Sequence, residues 1–326
     1  MPICSDTARH VSRVLITGSN GFVGQWLIRD LIQKLWEVHA GVIHWPPKAP
    51  LLSPEEHHAV RWTMLDIRSD DEVARAIDDS APEYIVHLAG IAFAPEANAS
   101  PVRSLDINAL GAARLLTHVA RLRAHKPRVL VVGSAEQYGA QPASAYPIAE
   151  TAPLRPLTSY AAGKAAQELV ALQVFRGEDV PIICTRSFNH SGVGHGESYL
   201  LPSLIRRVRA LPANDAVLPI GNADVVRDYL HVADVVHAYI QLLERGEPGE
   251  VYNVCSGEGI TVRDLAARVV RRAGSNARVA SEESLRRKND VPILVGDNRK
   301  LRAVTGWTPR HSVDDIIDDL LHAATR

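Results

Sequence analysis

Residues 13–24 read Arg13-Val14-Leu15-Ile16-Thr17-Gly18-Ser19-Asn20-Gly21-Phe22-Val23-Gly24. Val14, Leu15 and Ile16 form an unbroken apolar run, the pattern of a parallel strand covered on both faces. Gly18, Gly21 and Gly24 follow at once, and Trp26, Leu27, Leu31 and Ile32 then return at helical spacing. Glycine lets the chain turn tightly and come close to a phosphate, and a new helix offers unpaired N–H groups and the positive end of its dipole. The natural ligand of such a turn is a dinucleotide pyrophosphate. Spaced glycines alone say little. A strand before them and a helix after them give the pattern its meaning.

Outward from this stretch, strands and helices alternate. Strands are expected at Glu37 to Ile43, Arg61 to Leu65, Tyr84 to Leu88, Arg128 to Val132 and Pro181 to Thr185. Ser69-Asp70-Asp71-Glu72 reads as a capping box opening a helix to about Asp79. Val102 to Arg123 and Ser159 to Phe175 read as longer helices. This alternation specifies an α/β fold, a doubly wound parallel sheet of the Rossmann type. The second half is less regular. Helices are expected at Leu200 to Leu211, Val232 to Arg245, Thr261 to Ala273 and Val313 to Ala324, with short strands at Val217 to Ile220 and Gly249 to Val254. The expected division is a dinucleotide-binding domain over 1–186, which also receives the segment around 222–254. A smaller mixed α/β substrate domain covers 187–326 and closes a cleft over the C-terminal edge of the sheet.

The 326 residues carry 36 basic and 37 acidic side chains, a balance that points to neither a nucleic-acid nor a membrane-surface partner. Met1 to Ser12 has no apolar centre and does not read as a signal peptide, and no apolar stretch reaches the length of a membrane span. Cys4, Cys184 and Cys255 lie far apart and form neither a disulfide framework nor a zinc pattern, which suits a reducing, cytoplasmic setting. The 14 histidines show no metal-ligand spacing, and His57-His58 read as a solvated loop.

The chemistry is concentrated later. Tyr160 and Lys164 are four residues apart and share one helical face. A phenol is a poor acid–base group at neutral pH, and a lysine cation one turn away is expected to bring its pKa toward the working range. Ser134, leaving the preceding strand, is placed to hydrogen-bond the same substrate oxygen, and Asn108 to anchor a water that links the lysine to solvent.

With these residues in place the chain resembles the extended short-chain dehydrogenases/reductases, the NAD-dependent epimerase/dehydratase family, over nearly its whole length. The resemblance rests on Thr17-Gly18-x-x-Gly21-Phe22-x-Gly24, Asp66-Ile67, His87-Leu88-Ala89-Gly90, Asn108-x-x-Gly111, Ser134-x-Glu136-x-Tyr138-Gly139 and Tyr160-x-x-x-Lys164. It implies that Gly18, Asn20, Gly21, Phe22 and Val23 hold the pyrophosphate and that Asp66 and Ile67 flank the adenine. Leu88, Ala89, Gly90, Asn108, Tyr160 and Lys164 complete the cofactor site. Ser134, Glu136, Tyr160 and Lys164 form the implied catalytic set.

Arg186-Ser187-Phe188-Asn189-His190-Ser191-Gly192, Val226-Arg227-Asp228-Tyr229 and Tyr252-Asn253-Val254-Cys255-Ser256-Gly257 are similar to the members that reduce a GDP-linked 4-keto-6-deoxy sugar to GDP-D-rhamnose or its C4 epimer. Asn189 and Arg227 are implied contacts of the substrate diphosphate, and both suit phosphate chemically. Arg287 is a candidate for the nucleotide end, or one of a solvated basic turn with Arg286 and Lys288. A GDP-mannose 4,6-dehydratase and a nucleotide-sugar 4-epimerase remain as alternatives, the first because Glu136 supplies a carboxylate. The second strand ends Gly41-Val42-Ile43-His44-Trp45 without the carboxylate that marks NAD sites, so the cofactor is NADP or NAD with a lean to NADP, His44 or Lys48 being the groups near a 2′-phosphate. The family also implies a homodimer through the Tyr160 helix and the Val102 to Arg123 helix.

Overall fold

The computed structural model describes residues 11–212, 216–286 and 290–323. The first half supplies β1 (Arg13–Thr17), β2 (Glu37–Val42), β3 (Arg61–Met64), β4 (Tyr84–His87), β5 (Arg128–Ser134) and β6 (Ile182–Ser187). The second half adds β7 (Asn189–Ser191), β8 (Val217–Ile220), β9 (Val226–His231), β10 (Val251–Val254), β11 (Gly259–Thr261), β12 (Arg278–Ser281) and β13 (Ile293–Leu294). Seven strands form one parallel sheet in the order β10-β6-β5-β4-β1-β2-β3. The first six follow the doubly wound order, with the topological switch between β1 and β4. Strand β10 arrives from late in the chain and extends the sheet beyond β6.

Alternation along β1 shows why its run is apolar throughout. Val14 and Ile16 pack into one core with the Phe22–Gln33 and Val232–Arg245 helices, whereas Leu15 packs into the core on the other face. That second core is closed by the Asp70–Ser80, Gly111–Ala120 and Ser159–Glu178 helices. The smaller lobe has its own core, in which Leu204, Ile205, Leu265, Val269, Ile316 and Ile317 come from three helices and Leu218 and Ile220 from β8. Strand β9 is flanked there by β7 and β13 in parallel and by β11 antiparallel, and β12 pairs with β8.

Several local expectations are corrected. The Ser69 hydroxyl accepts from the Glu72 N–H at 3.3 Å, but the Glu72 carboxylate turns to the Asp66 N–H at 2.7 Å, so only half of the capping box forms. His57 and His58 lie in a short helix, Pro54–His58, whose own complete capping box is built by Ser53 and Glu56. The long helix is three consecutive pieces, Pro101–Leu105, a π-helical turn over Asp106–Leu110, and Gly111–Ala120. The π turn carries Asn108.

Candidate active site

The C-terminal ends of β1, β2, β4 and β5 open into a cavity of about 740 Å³. At the end of β1 the backbone of Gly18 has φ +66°, and a Cβ there would lie 2.8 Å from the backbone of Ala89. A Cβ on Gly24 would lie 2.3 Å from the Ser19 carbonyl oxygen. Only glycine fits either place. Gly21 caps the Phe22–Gln33 helix without a side-chain bond, so the first-turn N–H groups of that helix have no side-chain acceptor at its cap. The loop after β4 is tied to the same turn, with the Ala89 N–H donating to Thr17 Oγ1 at 3.1 Å and Thr17 Oγ1 meeting His87 Nδ1 at 2.9 Å. Burial and the Lys164 charge push His87 down to about 3, so it is a neutral ring.

Gly18, Asn20, Gly21, Phe22, Val23, Asp66, Ile67, Leu88, Ala89 and Gly90 all line this cavity, together with Ser134, Glu136, Tyr160, Lys164 and Asn189. Asn108 does not. It is fully buried, and its amide spans Ile91, accepting from the Ile91 N–H at 2.8 Å and donating to its carbonyl at 3.3 Å. It therefore fixes the loop after β4 rather than displaying its side chain to the cavity. His44 and Lys48 are not among the lining residues either; the arginines that line the cavity are Arg68 and Arg103, and Arg68 follows β3, the strand paired with β2. Arg68 is bonded to Asp66, which holds the Asp66 carboxyl below its ordinary value. Arg287 lies outside the described residues.

Tyr160 and Lys164 stand one turn apart at the start of the Ser159–Glu178 helix, which Thr158 caps by accepting from the Ala161 N–H at 3.1 Å. Lys164 Nζ donates to the Val132 carbonyl at 2.9 Å and to Gln167 at 3.0 Å, and burial lowers its pKa to about 8. The expected effect of this ammonium on the phenol is not found. Burial and then the Glu136 charge raise the Tyr160 pKa, opposed by the hydrogen bond from Ser134. Lys164 acts little because its charge is turned toward β5. Tyr160 is consequently held as a protonated phenol.

Below this pair lies a buried network. The Glu168 carboxylate, one turn past Lys164, receives Arg186 at 2.6 and 2.9 Å and Gln137 at 2.9 Å, and Gln137 in turn accepts from the Ser134 N–H at 2.8 Å. The Tyr160 helix and the Ser134 turn are thus fastened to each other through Glu168.

A second cavity of about 800 Å³ adjoins the first and shares Glu136, Asn189, His190, His195, Tyr199 and Leu294 with it. Arg227 lines this second space, where it is ion-paired to Asp290 and donates to its neighbour's carbonyl at 2.8 Å. Asp228 points elsewhere. It is fully buried and accepts from the Ser256 hydroxyl and from the N–H groups of Ser256, Gly257 and Gly296. His195 and Tyr199 are site residues that no motif announced, since a turn between β7 and the Leu200–Arg209 helix brings them to the mouth.

A family model described as GDP-mannose 4,6 dehydratase matches residues 15–320. The chain belongs to that family. Within it, the GDP-6-deoxy-D-mannose reductase of Pseudomonas aeruginosa is 31% identical over 313 residues, 95% of this chain and 96% of that protein. The GDP-6-deoxy-D-talose 4-dehydrogenase of Aggregatibacter actinomycetemcomitans is 28% identical, covering 94% of this chain and 96% of its own. Among solved structures, RMD from Pseudomonas aeruginosa complexed with NADPH superposes with a TM-score of 0.79 at 29% identity, over 97% of this chain and all of that one. The parallel-sheet fold and the NAD(P)-dependent oxidoreductase class agree with this kinship. Among the described residues no helix is long and apolar enough to cross a membrane.

Proposed function

We propose that this protein is an NAD(P)H-dependent reductase of a GDP-linked 4-keto-6-deoxy sugar, forming GDP-D-rhamnose or its C4 epimer. The observation that carries this reading is that Tyr160, Lys164 and Ser134 line one cavity with a glycine cradle fit for a pyrophosphate, the phenol pKa being raised by burial. A neutral phenol donates a proton, which is what reduction of a ketone requires. The relatives named for GDP-6-deoxy sugars supply the substrate class.

The glycine turn and the Phe22–Gln33 helix would hold the pyrophosphate of the dinucleotide, with Asp66, Ile67, Leu88, Ala89 and Gly90 along its adenosine and ribose parts. When bound, the reduced nicotinamide supplies the hydride. Ser134 orients the C4 oxygen, Tyr160 delivers the proton to it, and Lys164 holds ribose hydroxyls through the ammonium hydrogen that Val132 and Gln167 do not take. Asn189 and Arg227 face the nucleotide-sugar in the second cavity. The sheet lobe serves the dinucleotide and the smaller lobe the nucleotide-sugar. NADP is favoured over NAD because Gly41, Val42 and Ile43 present no carboxylate to a 2′-phosphate and Arg68 lines the same cavity. The buried thiols of Cys184 and Cys255 suit a cytoplasmic enzyme. A homodimer is supported by exposed Val102, Leu105, Leu110 and Leu169, which lie on the two helices next to each other.

Glu136, whose charge bears on Tyr160, supports a second reading, a GDP-mannose 4,6-dehydratase or a 4-epimerase. Stoichiometry separates the two. The reductase consumes one NADPH per GDP-4-keto-6-deoxy-D-mannose, read as loss of absorbance. Conversion of GDP-mannose to the keto sugar with no net change in NADPH would overturn the reductase reading.

A further inference from the structure

Where the two cavities meet, four rings run in line. His195 lies flat on Phe22, with ring centroids 4.6 Å apart and planes 10° apart. Its other neighbour is Tyr199 at 4.1 Å, and Tyr199 meets Phe93 edge-on at 5.3 Å. Phe22 is the first residue of the helix that follows the glycine turn. All four rings line the first cavity, and the two central ones, His195 and Tyr199, also line the second.

The turn carrying His195 is held in place from several directions. Trp26, one helical turn after Phe22, donates from Nε1 to the Val193 carbonyl at 3.0 Å. The His195 N–H donates to the Gly192 carbonyl at 3.1 Å. Gly194 has φ +89°, and a Cβ there would strike Leu51 at 2.4 Å. Ser191, fully buried, shares a hydrogen bond of 2.9 Å with His195 Nδ1. Burial and the neighbouring His190 push the imidazole down to about 3, so the ring is neutral at any working pH. The Ser191 hydroxyl is placed to donate to Nδ1, and in the tautomer that this bond favours the ring hydrogen sits on Nε2, which is then a donor.

A neutral, fixed donor beside the N-terminus of the glycine-turn helix suits an acceptor-only phosphate oxygen. It adds no charge and needs no protonation. We propose that His195 is a ligand-positioning residue that donates from Nε2 to a diphosphate oxygen at the junction of the two cavities. This rests on the reading that a dinucleotide fills one cavity and a nucleotide-sugar the other, and either diphosphate is chemically suited to the contact.

Two variants test it. His195→Phe keeps a flat ring between Phe22 and Tyr199 and removes both nitrogens, while His195→Gln restores a donor. NADPH affinity is measured by fluorescence titration, and KM and kcat are measured for GDP-4-keto-6-deoxy-D-mannose. The expected result for His195→Phe is a loss of about tenfold in NADPH affinity or in KM, whichever diphosphate is held, with kcat within about threefold of the parent. His195→Gln should recover most of that loss. Unchanged NADPH affinity and KM in His195→Phe overturn the proposal. So does an equal loss in both variants accompanied by an equal fall in melting temperature, since the ring would then serve packing alone. Should no nucleotide-sugar be reduced even by the parent, the functional reading fails while the NADPH titration still reports on His195.

Discussion

Tyr160 and Lys164 divide the work of the site by the directions their polar atoms take. The phenol meets Ser134 in the cavity, and the ammonium is spent on Val132 and Gln167. Tyr160→Phe should cut kcat by roughly 10²–10⁴-fold while NADPH affinity stays near that of the parent, because the hydroxyl serves proton transfer alone. Near-normal turnover in that variant would remove Tyr160 from its role. Lys164 titrates near pH 8 in the fold against 10.5 as its ordinary value. Between those values the unfolded chain binds more protons than the folded one, so stability rises with pH across that window and the charged form is the costly one. Ribose binding runs the other way. NADPH affinity should fall as pH rises through 8, and Lys164→Met should abolish that dependence, both read by fluorescence titration. The pair itself was legible in the sequence, because spacing of four on a helix fixes a shared face. Where the ammonium points was not, since its acceptor is supplied by a strand 32 residues earlier. Arg227 teaches the same lesson. Its partner Asp290 is 63 residues away, so the sequence did not show that this arginine, read as an implied contact of the substrate diphosphate, is ion-paired to it. Arg227→Ala leaves that aspartate without its cation, still held by Asn222 at 2.9 Å, and should lower both melting temperature and nucleotide-sugar affinity. Adding Asp290→Ala should restore the melting temperature but not the affinity, if Arg227 also serves the substrate.

Among the elements, strands of the first half announced themselves where they are covered on both faces, as the apolar run of β1 is, whereas the edge strand β3 carries Arg61 and Thr63 and none of its residues is buried. In the smaller lobe the apolar run of β8 was read as a strand, whereas β7, β9, β11, β12 and β13 were not. Strand β9 carries Arg227 and Asp228 in its interior, and the buried Asp228 is tolerated only because Ser256, Gly257 and Gly296 bring it four donors from other segments. No local pattern contains that compensation. The π turn at Asp106–Leu110 was invisible for a related reason, as Asn108 is turned inward to satisfy both backbone groups of Ile91. Glu168 is the element-scale link with the sharpest consequence. It shares a helix face with Tyr160 and Lys164, yet it is almost fully buried against Arg186. Glu168→Leu would strand the guanidinium and should cost roughly 3–5 kcal/mol in denaturant unfolding. Because Gln137 also loses its anchor, Ser134 should loosen, and the surviving fold should show a lower kcat than its stability alone explains.

For the molecule as a whole, the two lobes are joined by chain crossings rather than by one hinge. The chain leaves the large sheet after β6, builds β7 to β9, returns to add the Val232–Arg245 helix and β10, and leaves again for β11. The expected division returned the segment around 222–254 to the first domain; of that segment the Val232–Arg245 helix and β10 pack with the large sheet, while β9 pairs with β7, β11 and β13. The outer surface has its own logic. Val102 is 83% exposed, Leu110 53% and Leu169 63%, on helices whose other faces are packed into the sheet. Large side chains left out on adjacent helices form an apolar surface that a second copy can cover by the same surface, as twofold symmetry requires. The measurement is sedimentation of the parent chain and of Leu169→Glu, each with melting temperature and turnover. The parent should sediment at twice the mass of one chain. Leu169→Glu should place two like charges across the twofold contact and shift the population toward the single chain, with little change in the fold of either lobe, because this side chain contributes nothing to the core. NADPH binding should persist in the dissociated form, since the glycine turn and Tyr160 belong to one chain. A parent that sediments as a single chain at micromolar concentration would leave the exposed leucines without this partner and remove the dimer from the proposal.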